Sequence, residues 1–243
     1  MTNRLRADQL LVLRGLFESR ARAQAAIEAG LVMADGAQVK KAAQILPADV
    51  QLQAASAHPY VSRGGVKLAQ ALAHFHFDPL GKVCLDIGAS TGGFTDVLLR
   101  AGALRIYAVD VGTDQLHPSL RNRSEIVRLE NIDARALNHT LISEPPQLIT
   151  VDVSFISLKL IIPNLKEIAA PACELVALIK PQFEVGKKLA GKGVVRDKAV
   201  QEAVCEEIAV AVEGHGWHVV GVIDSPLEGG DGNREFLLGA HIP

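Results

Sequence analysis

The sequence predicts an α/β protein whose main part is a parallel sheet covered by helices on both faces, preceded by a small α+β segment. Three observations lead to this fold class. The chain has 243 residues, of which 49% are apolar, so it can bury a sizeable core. From residue 60 onward, short apolar runs alternate with helical patterns, whereas residues 1–46 suit short helices and a hairpin. We therefore expect a small domain over 1–46, a linker over 47–59 and a large domain over 60–243.

The N-terminal segment begins with two predicted helices. The apolar residues within 10–17 suit the buried face of one helix, and Ser19 is a suitable N-cap for a second helix over Arg20–Ile27. Gly30 is the expected end of that helix. Residues 31–39 then place apolar side chains around an Asp-Gly pair, which predicts a β-hairpin.

Seven apolar runs in the large domain predict strands, with helical patterns between several of them, including one around Thr95–Ala101. Continuous apolar runs separated by helices are typical of parallel strands buried on both faces. The last two runs flank the polar, Gly-rich stretch 228–233 and suit a terminal antiparallel pair. The predicted strands are Lys82–Ile87, Arg105–Val109, Ile126–Leu129, Gln147–Val153, Glu174–Ile179, Trp217–Ile223 and Arg234–Gly239.

Composition argues against several classes of protein. No stretch approaches about 20 uninterrupted apolar residues, so we expect no membrane-spanning helix. The first residues carry no hydrophobic secretory segment, and we expect a cytoplasmic protein. Cys84, Cys173 and Cys205 are far apart and sit in apolar runs, which is typical of buried thiols rather than of disulfides or zinc ligands. We expect no metal site.

Charge is unevenly distributed along the chain. Residues 1–67 hold nine Lys and Arg against five Asp and Glu, a net charge of +4. The remainder holds 16 basic and 22 acidic residues, a net charge of −6. This asymmetry favours a polyanionic partner for the N-terminal part.

A glycine-rich turn within Leu85–Thr95 lies where a strand ends and a helix begins, and open α/β sheets bind ligands at such strand ends. The turn does not match G-x-G-x-x-G, the pattern that seats a pyrophosphate. Asp86 would repel a pyrophosphate but attract the cation of an amino-acid-bearing ligand, directly or through water. Asp110 ends the next strand, where an acid can accept hydrogen bonds from two ribose hydroxyls, and Asp133 follows the third strand, within reach of an adenine amino group.

Together these residues resemble the S-adenosylmethionine site of a class I methyltransferase, which has a Rossmann-like sheet. The resemblance implies S-adenosylmethionine as the cofactor. The residues that it assigns to cofactor binding are Asp86, Gly88, Ala89, Ser90, Thr91, Gly92, Gly93, Phe94, Asp110, Val111, Asp133 and Asp152.

Four charged residues from distant segments are the candidate reacting groups. Asp152 and Lys180 each close an apolar strand, so both should lie at the sheet edge that holds the cofactor loop. Lys67 starts the helix before the first strand of the large domain, and Glu235 begins the last strand. This set resembles the Lys-Asp-Lys-Glu tetrad of FtsJ-like RNA ribose 2′-O-methyltransferases.

The segment 4–46 resembles the S4-type RNA-binding domain, through Arg4-Leu5-Arg6, Ser19-Arg20-Ala21 and the stretch from Ala26 to Val32. Arg20 and Arg22 would lie in the first turn of a helix, whose free N–H groups already favour phosphate. With the strings Ser-Arg-Gly-Gly-x-Lys-Leu, Asp-Val-Ser-Phe-Ile-Ser and Lys-Pro-Gln-Phe-Glu-Val-Gly-Lys, the whole chain resembles the TlyA family. The residues expected to contact RNA are Arg4, Arg6, Ser19, Arg20, Arg22, Lys40, Lys41, Arg63, Lys187 and Lys188.

The resemblance implies methylation of a ribose 2′-hydroxyl, in a cytidine of ribosomal RNA that is either naked or part of an assembled subunit. A 2′-hydroxyl is a weak acid, so the enzyme must align it with the methyl donor and help to remove its proton. We assign Lys180 as the base or the stabiliser of the oxyanion, Asp152 as its orienting partner, and Lys67 with Glu235 as a positioning pair. The chain ends at Pro243, without the extension of some family members, which leaves open whether both ribosomal subunits or only the large one are modified.

Other interpretations remain open from sequence alone. A non-catalytic RNA-binding factor for ribosome assembly would keep this fold, although the four charged residues argue against it. A membrane-lytic hemolysin, as the name of some family members implies, would need a spanning or strongly amphipathic segment, and the sequence shows none. The basic, Gly-rich stretch 185–196 suits either a solvated loop or a loop that orders on RNA. The oligomeric state is not readable.

Overall fold

The computed structural model describes residues 4–185, 193–229 and 232–243. The chain divides into two compact units, Met1–Pro59 and Tyr60–Pro243. Lys187 and Lys188, two of the expected RNA contacts, lie outside the described residues.

The first unit packs two helices, α1 (Ala7–Leu13) and α2 (Arg20–Glu28), with short strands around its own apolar core. The Ser19 side chain accepts a hydrogen bond from the Arg22 N–H and so caps α2, where the sequence predicts a cap. The expected hairpin forms around residues 35 and 36, with Met33 opposite Gln38. The strands of this unit are β1 (Arg4–Arg6), β2 (Val32–Ala34), β3 (Ala37–Gln38), β4 (Ile45–Pro47) and β5 (Leu52–Ala54).

The segment 47–59, which we expected to be a linker, contains strand β5 and belongs to the first unit. β5 pairs with β2, with Val32 opposite Ala54, and Val50 is buried in the core of the first unit. A strand of three residues gives too short an alternation of apolar and polar side chains to be recognised in sequence.

The second unit is built on a seven-stranded sheet in which six strands run one way and β12 runs against its neighbours. Its order is β11-β12-β10-β9-β6-β7-β8. The parallel strands and the terminal antiparallel pair were both expected from the apolar runs. The strands are β6 (Val83–Ile87), β7 (Arg105–Asp110), β8 (Ile126–Glu130), β9 (Leu148–Val151), β10 (Glu174–Ile179), β11 (His218–Asp224) and β12 (Phe236–His241).

Apolar clusters cover both faces of this sheet. One face packs against α3 and α4, and the other against α6 and α8, because successive strand side chains point to opposite faces. The helices of this unit are α3 (Gly64–Phe75), α4 (Gly93–Arg100), α5 (Pro118–Arg121), α6 (Ile162–Ile168), α7 (Pro181–Glu184) and α8 (Lys198–Gly214), with 3₁₀ turns at Ala134–Ala136 and Leu158–Leu160.

The strand order reverses between β6 and β9. The chain proceeds from β6 outward through β7 and β8, and then returns to place β9 on the other side of β6. Loops leaving the carboxyl ends of β6 and β9 therefore diverge, and such a switch point is where open α/β sheets bind ligands.

Candidate functional site

An open cavity of about 550 Å³ lies at this switch point. Its volume falls within the range of small-molecule sites, about 300–1,000 Å³. Residues at the carboxyl ends of β6 and β7, and in the segments that follow β6, β7, β8 and β9, form its wall. They are Ile87, Gly88, Ser90, Val109, Asp110, Val111, Gln115, Ile132, Asp133, Ala134, Arg135, Asp152, Val153, Ser154, Phe155, Ile156 and Ile161.

Gly88 is required where β6 turns into the cavity wall. Its φ is +82°, which favours glycine, and a Cβ at this position would overlap the carbonyl oxygen of Asp152. The Gly88 N–H donates to the carbonyl of Val109 at 2.9 Å, so the turn is tied to β7 as well. The glycine therefore allows the loops after β6 and β9 to meet at one edge of the cavity.

Most of the remaining residues of the glycine-rich loop pack against other parts of the protein and do not line the cavity. A Cβ at Gly92 would come 2.5 Å from Leu120, and one at Gly93 would overlap the Ser62 hydroxyl, so both glycines allow close approach of protein rather than of a ligand. Phe94 is buried in the apolar cluster on the α3 side of the sheet. The residues of the predicted cofactor loop that do not line the cavity are Ala89, Thr91, Gly92, Gly93 and Phe94.

Asp86 lies behind the cavity instead of facing a ligand directly. It is fully buried, and its carboxylate accepts hydrogen bonds from the hydroxyls of Thr95 at 2.6 Å and Thr150 at 2.9 Å. Burial raises the pKa of Asp86 to about 6, against the two hydroxyl hydrogen bonds that lower it. The sequence leaves open whether Asp86 meets a ligand directly or through water, and its full burial disfavours direct contact. In the structure Asp86 is a buried anchor that joins β6, β9 and α4.

Asp110, the last residue of β7, and Asp133, which follows β8, both line the cavity, as their positions suggest. The Asp110 carboxylate accepts the Ser90 N–H at 2.8 Å and the Gly112 N–H at 2.7 Å, and two of its four lone-pair positions remain for a ligand. Asp133 pairs with Arg135 at 2.5 Å, and this hydrogen bonding holds the pKa of Asp133 at about 2. A ligand amino group at Asp133 would therefore share the carboxylate with a guanidinium.

Lys180 and Asp152 form an ion pair beside the cavity. Lys180 Nζ lies 2.5 Å from Asp152 Oδ1 and donates a hydrogen bond to Ser154 Oγ at 3.0 Å. Asp152 and Ser154 both line the cavity. Ser154 belongs to the Asp-Val-Ser-Phe-Ile-Ser string but had no role expected from sequence, and its hydroxyl fixes the ammonium group from a second side.

Lys67 and Glu235 form a second ion pair, which is buried. Lys67 extends from α3, and Glu235 immediately precedes β12. Ile179 is opposite Phe236 in the antiparallel ladder, so Lys180 and Glu235 occupy the next position along the same two strands. The four residues of the predicted tetrad thus form two ion pairs at one edge of the sheet.

Phe155 is a second residue that the sequence argument assigned no role. It lines the cavity, is 90% exposed and has a φ of +65°, which is a strained conformation for an aromatic residue. Its ring contacts that of Phe183, with centroids 4.9 Å apart. Phe155 could have been noticed in the sequence, because it directly follows Asp-Val-Ser at the end of a predicted strand. An aromatic residue beyond the end of a strand is not needed for the core of the sheet.

Glu184 holds the loop that carries Phe155. Its carboxylate accepts hydrogen bonds from the Ser157 hydroxyl and, at 2.8 Å, from the Leu158 N–H. Burial raises the pKa of Glu184, although these hydrogen bonds oppose the shift. Helix α7 therefore braces the loop after β9 at two points, through Phe183 and Glu184.

The expected RNA contacts are surface groups wherever the structure describes them. The side chain of Arg22 donates to the Ser56 hydroxyl at 3.2 Å. Arg6 and Arg20 are partly exposed and both pair with Asp8. The remaining ones are exposed and belong to Arg4, Ser19, Lys40, Lys41 and, at the start of α3, Arg63.

Two further properties concern the residues that the structure describes. Among them, no group of three or more His, Cys, Asp and Glu side chains is arranged to hold a metal ion. No helix within the described ranges is long and apolar enough to cross a membrane.

Comparison with known proteins gives a consistent result. The FtsJ-like methyltransferase family matches residues 60–242. The 16S/23S rRNA (cytidine-2′-O)-methyltransferase TlyA of Mycobacterium tuberculosis is 44% identical over 241 residues, which cover 98% of this chain and 90% of that protein. Hemolysin A of Brachyspira hyodysenteriae is 38% identical over 235 residues, covering 96% of this chain and 98% of the relative.

A solved structure leads in the same direction. A hemolysin-named protein from Streptococcus thermophilus superimposes with a TM-score of 0.78 at 40% identity, covering 100% of this chain and 90% of that one. The chain therefore belongs to the FtsJ-like methyltransferases and, among them, to the TlyA family.

Proposed function

We propose that this chain transfers a methyl group from S-adenosylmethionine to a ribose 2′-hydroxyl of ribosomal RNA, in a cytidine. The observation that carries the proposal is the Lys180–Asp152 ion pair at the edge of a cavity at the switch point of the sheet. Membership of the family supports methyl transfer, and the name of the M. tuberculosis relative supports rRNA and cytidine.

The cavity fits S-adenosylmethionine in volume and in the chemistry of its wall. Asp110 ends β7, where its free lone pairs suit the two ribose hydroxyls of the cofactor. Asp133 follows β8 and suits the adenine amino group, and the apolar Ile132 and Ile156 suit the faces of the ring. Bound there, the cofactor supplies a sulfonium-activated methyl group.

The protein's own part in the reaction is alignment and control of a proton. A 2′-hydroxyl becomes a good nucleophile only as its proton leaves, and a positioned side chain can accept that proton or stabilise the oxygen's developing charge. Lys180 Nζ is fixed for either task by Asp152 and Ser154. The buried Lys67–Glu235 pair fixes the start of α3 and the start of β12 around the same edge.

Phe155 supplies the surface that the target base needs. A ribose inside an RNA helix can reach a recessed cavity only when its nucleotide turns out of the stack, and an exposed aromatic ring replaces the lost stacking. Phe155 is the exposed aromatic residue of the cavity wall. We therefore place the cytosine against Phe155 and its ribose toward Lys180.

The first unit is proposed to recruit the RNA as an S4-type domain. Residues 1–59, the first unit, hold seven Lys and Arg against five Asp and Glu, a net charge of +2, and the exposed or partly exposed arginines and lysines are available to phosphates. The proposed domains are the methyltransferase domain over 60–243 and an S4-type domain that extends beyond the 1–46 expected from sequence, because β5 and Val50 belong to the first unit. We expect the enzyme to act in the cytoplasm.

The test is transfer of labelled methyl groups to naked rRNA, to separate ribosomal subunits and to whole ribosomes, followed by mapping of the modified nucleotide. A 2′-O-methylcytidine at one position, lost in Lys180→Met, is the expected result. Cofactor binding with no transfer to any ribosomal particle would instead indicate a non-catalytic assembly factor. Leakage of liposomes on addition of the pure protein would indicate a lytic one.

A further inference from the structure

Asp8, in the first turn of α1, is a carboxylate with no exposed surface in a unit that is otherwise positively charged. The Asp8 carboxylate accepts hydrogen bonds from Arg6 Nε at 3.0 Å and Arg6 Nη2 at 3.1 Å. It also accepts hydrogen bonds from Arg20 Nε at 3.2 Å and Arg20 Nη2 at 2.8 Å. Gln24 Nε2 and the Gln9 N–H add contacts at 2.9 and 3.0 Å. The Arg6 and Arg20 hydrogen bonds hold the pKa of Asp8 far below its usual range, so Asp8 is an anion at every working pH.

The contact pattern fixes the orientation of both guanidinium groups. In each arginine the Nε–Nη2 edge faces Asp8, and because the guanidinium is planar the Nη1 corner must point away from the carboxylate. The Arg6 side chain is nevertheless 38% exposed and that of Arg20 50%. Two outward-facing guanidinium corners are therefore held at a set distance on the surface.

The three elements joined by this cluster make it rigid. Arg6 ends β1, Asp8 lies in α1, and Arg20 begins α2 with Gln24 one turn later. Two cations against one anion leave a net charge of +1. The cluster thus retains attraction for an anion after its internal pairs have formed, and its side chains lose little further freedom on binding.

We propose that Asp8 is a positioning residue for RNA: it holds Arg6 and Arg20 as a fixed pair of guanidinium groups that binds the phosphate backbone. This inference rests on the proposed function, because it takes RNA to be the partner of the first unit. It goes further in assigning a buried acid, which no RNA can touch, to the strength of binding.

Charge alone predicts that replacing Asp8 would increase the affinity for RNA, the opposite of what the proposal predicts. Asp8→Asn removes a negative charge from a polyanion-binding surface, so long-range electrostatics would strengthen RNA binding. Loss of a fixed orientation would weaken it, because two long side chains must then be immobilised by the RNA itself. The sign of the change therefore separates the two explanations.

The experiment measures the affinity of the full chain for deproteinised ribosomal RNA over a series of salt concentrations, together with methyl-transfer kinetics. Asp8→Asn is compared with Glu28→Gln, which removes the same charge from an exposed position of α2. Arg20→Lys is the second variant: it keeps the charge but replaces the planar fork by an ammonium group. Amide hydrogen exchange in α1 and α2 reports whether the first unit stays folded.

We expect Asp8→Asn and Arg20→Lys to weaken rRNA binding by about tenfold, raising KM for RNA with kcat nearly unchanged, whereas Glu28→Gln leaves binding equal or tighter. Equal or tighter binding by Asp8→Asn with protected helices would overturn the inference while leaving the proposed function intact. Should Asp8→Asn lose helix protection, Arg20→Lys decides: weaker binding supports the inference and unchanged binding overturns it. A wild-type chain that neither binds nor methylates rRNA would overturn the proposed function and the inference with it.

Discussion

Lys180 Nζ and Asp152 Oδ1 lie 2.5 Å apart because their residues follow neighbouring parallel strands, β10 and β9. The ladder sets Ala177 opposite Val151, so both side chains emerge at the same edge of the sheet. Gly88, after β6, brings the third loop of this edge against the backbone of Asp152. The sheet itself therefore holds the pair in place, and such preorganised charges need no rearrangement during the reaction.

Replacing Lys180 should remove most of the turnover. Lys180→Met deletes the charged group while keeping the length of the side chain, and we expect kcat to fall by about 10²- to 10⁴-fold, the usual contribution of a positioned acid–base group. The affinity for S-adenosylmethionine should change little, because the residues proposed to hold the cofactor, Asp110 and Asp133, lie at the end of β7 and after β8, whereas Lys180 follows β10. Single-turnover methyl transfer and calorimetric cofactor binding measure the two quantities.

Lys198→Met is the matched control, since Lys198 is an exposed residue at the start of α8. It removes the same charge at a distance from the cavity wall and should leave both quantities unchanged. Near-normal turnover in Lys180→Met would refute the assignment of Lys180.

Gly88→Ala should damage both stability and cofactor binding, and Gly81→Ala is its internal reference. Both glycines have positive φ, +82° and +69°, so an alanine at either costs roughly 1–2 kcal/mol of backbone strain. A Cβ at Gly81 meets nothing within 4 Å, whereas one at Gly88 overlaps the Asp152 carbonyl. The excess loss in Gly88→Ala, of roughly 1–3 kcal/mol, measures the clash alone.

Denaturant unfolding gives the free energies, and titration gives the affinity for S-adenosylmethionine. We expect weaker cofactor binding in Gly88→Ala only, since Gly81 does not line the cavity. Equal losses of stability and affinity in the two variants would show that the contact with Asp152 does not shape the site.

The sequence predicts the architecture of the second unit and the identity of its charged groups well. Parallel strands buried on both faces leave continuous apolar runs, and the runs of β6 to β10 end at a change to Asp, Glu, Lys or Gly. Asp110, Asp152 and Lys180 are recognisable for that reason, because a charge that closes an apolar strand must lie at the sheet edge. The hydrophobic pattern thus predicts where along its strand each charged residue lies.

Periodicity does not show which partner a group meets across the fold. Asp86 occupies a strand end like Asp110, yet hydroxyls from Thr95 and Thr150 enclose it, and only the packing of α4 against the sheet shows this. Similarly, Gly92 and Gly93 look like ligand-facing glycines until Leu120 and Ser62 are seen beside them. Contacts between distant segments decide such roles, and one sequence does not contain them.

Asp86 should make the stability of the protein depend on pH between about 4 and 6. Its pKa is raised by burial from 3.8 to about 6 in the folded chain. Below this pH range the Asp86 carboxyl is protonated in both the folded and the unfolded chain, so its ionisation does not lower the free energy of unfolding. As pH rises through the window the unfolded chain ionises first, and stability falls by up to about 3 kcal/mol until the folded carboxyl has also ionised.

Asp86→Asn cannot ionise and should not show this loss. Relative to wild type, the free energy of unfolding of Asp86→Asn should therefore rise as pH increases from 4 to 7, when both are measured by denaturant unfolding. Glu167→Gln, which removes an exposed carboxylate of α6, is the control, and its free energy of unfolding should change with pH almost as that of the wild type does. A constant difference between Asp86→Asn and wild type would mean that Asp86 does not retain its proton in the folded state.

Phe155 should contribute to RNA turnover without contributing to stability. Phe155→Ala removes the ring proposed to stack on the target base, and base–aromatic stacking is worth about 1–3 kcal/mol, so kcat/KM for RNA should fall by roughly 5- to 150-fold. The ring is 90% exposed and its φ of +65° is strained, so Phe155→Gly should be as stable as wild type or more stable while losing the same turnover. Phe155→Trp keeps an aromatic face and should retain activity, and Leu160→Ala, an exposed apolar residue of the adjoining 3₁₀ turn, controls for general loss of apolar surface. If Phe155→Ala and Leu160→Ala methylate RNA equally well, the base binds elsewhere, and the strained backbone at Phe155 would have to serve the packing against Phe183 instead.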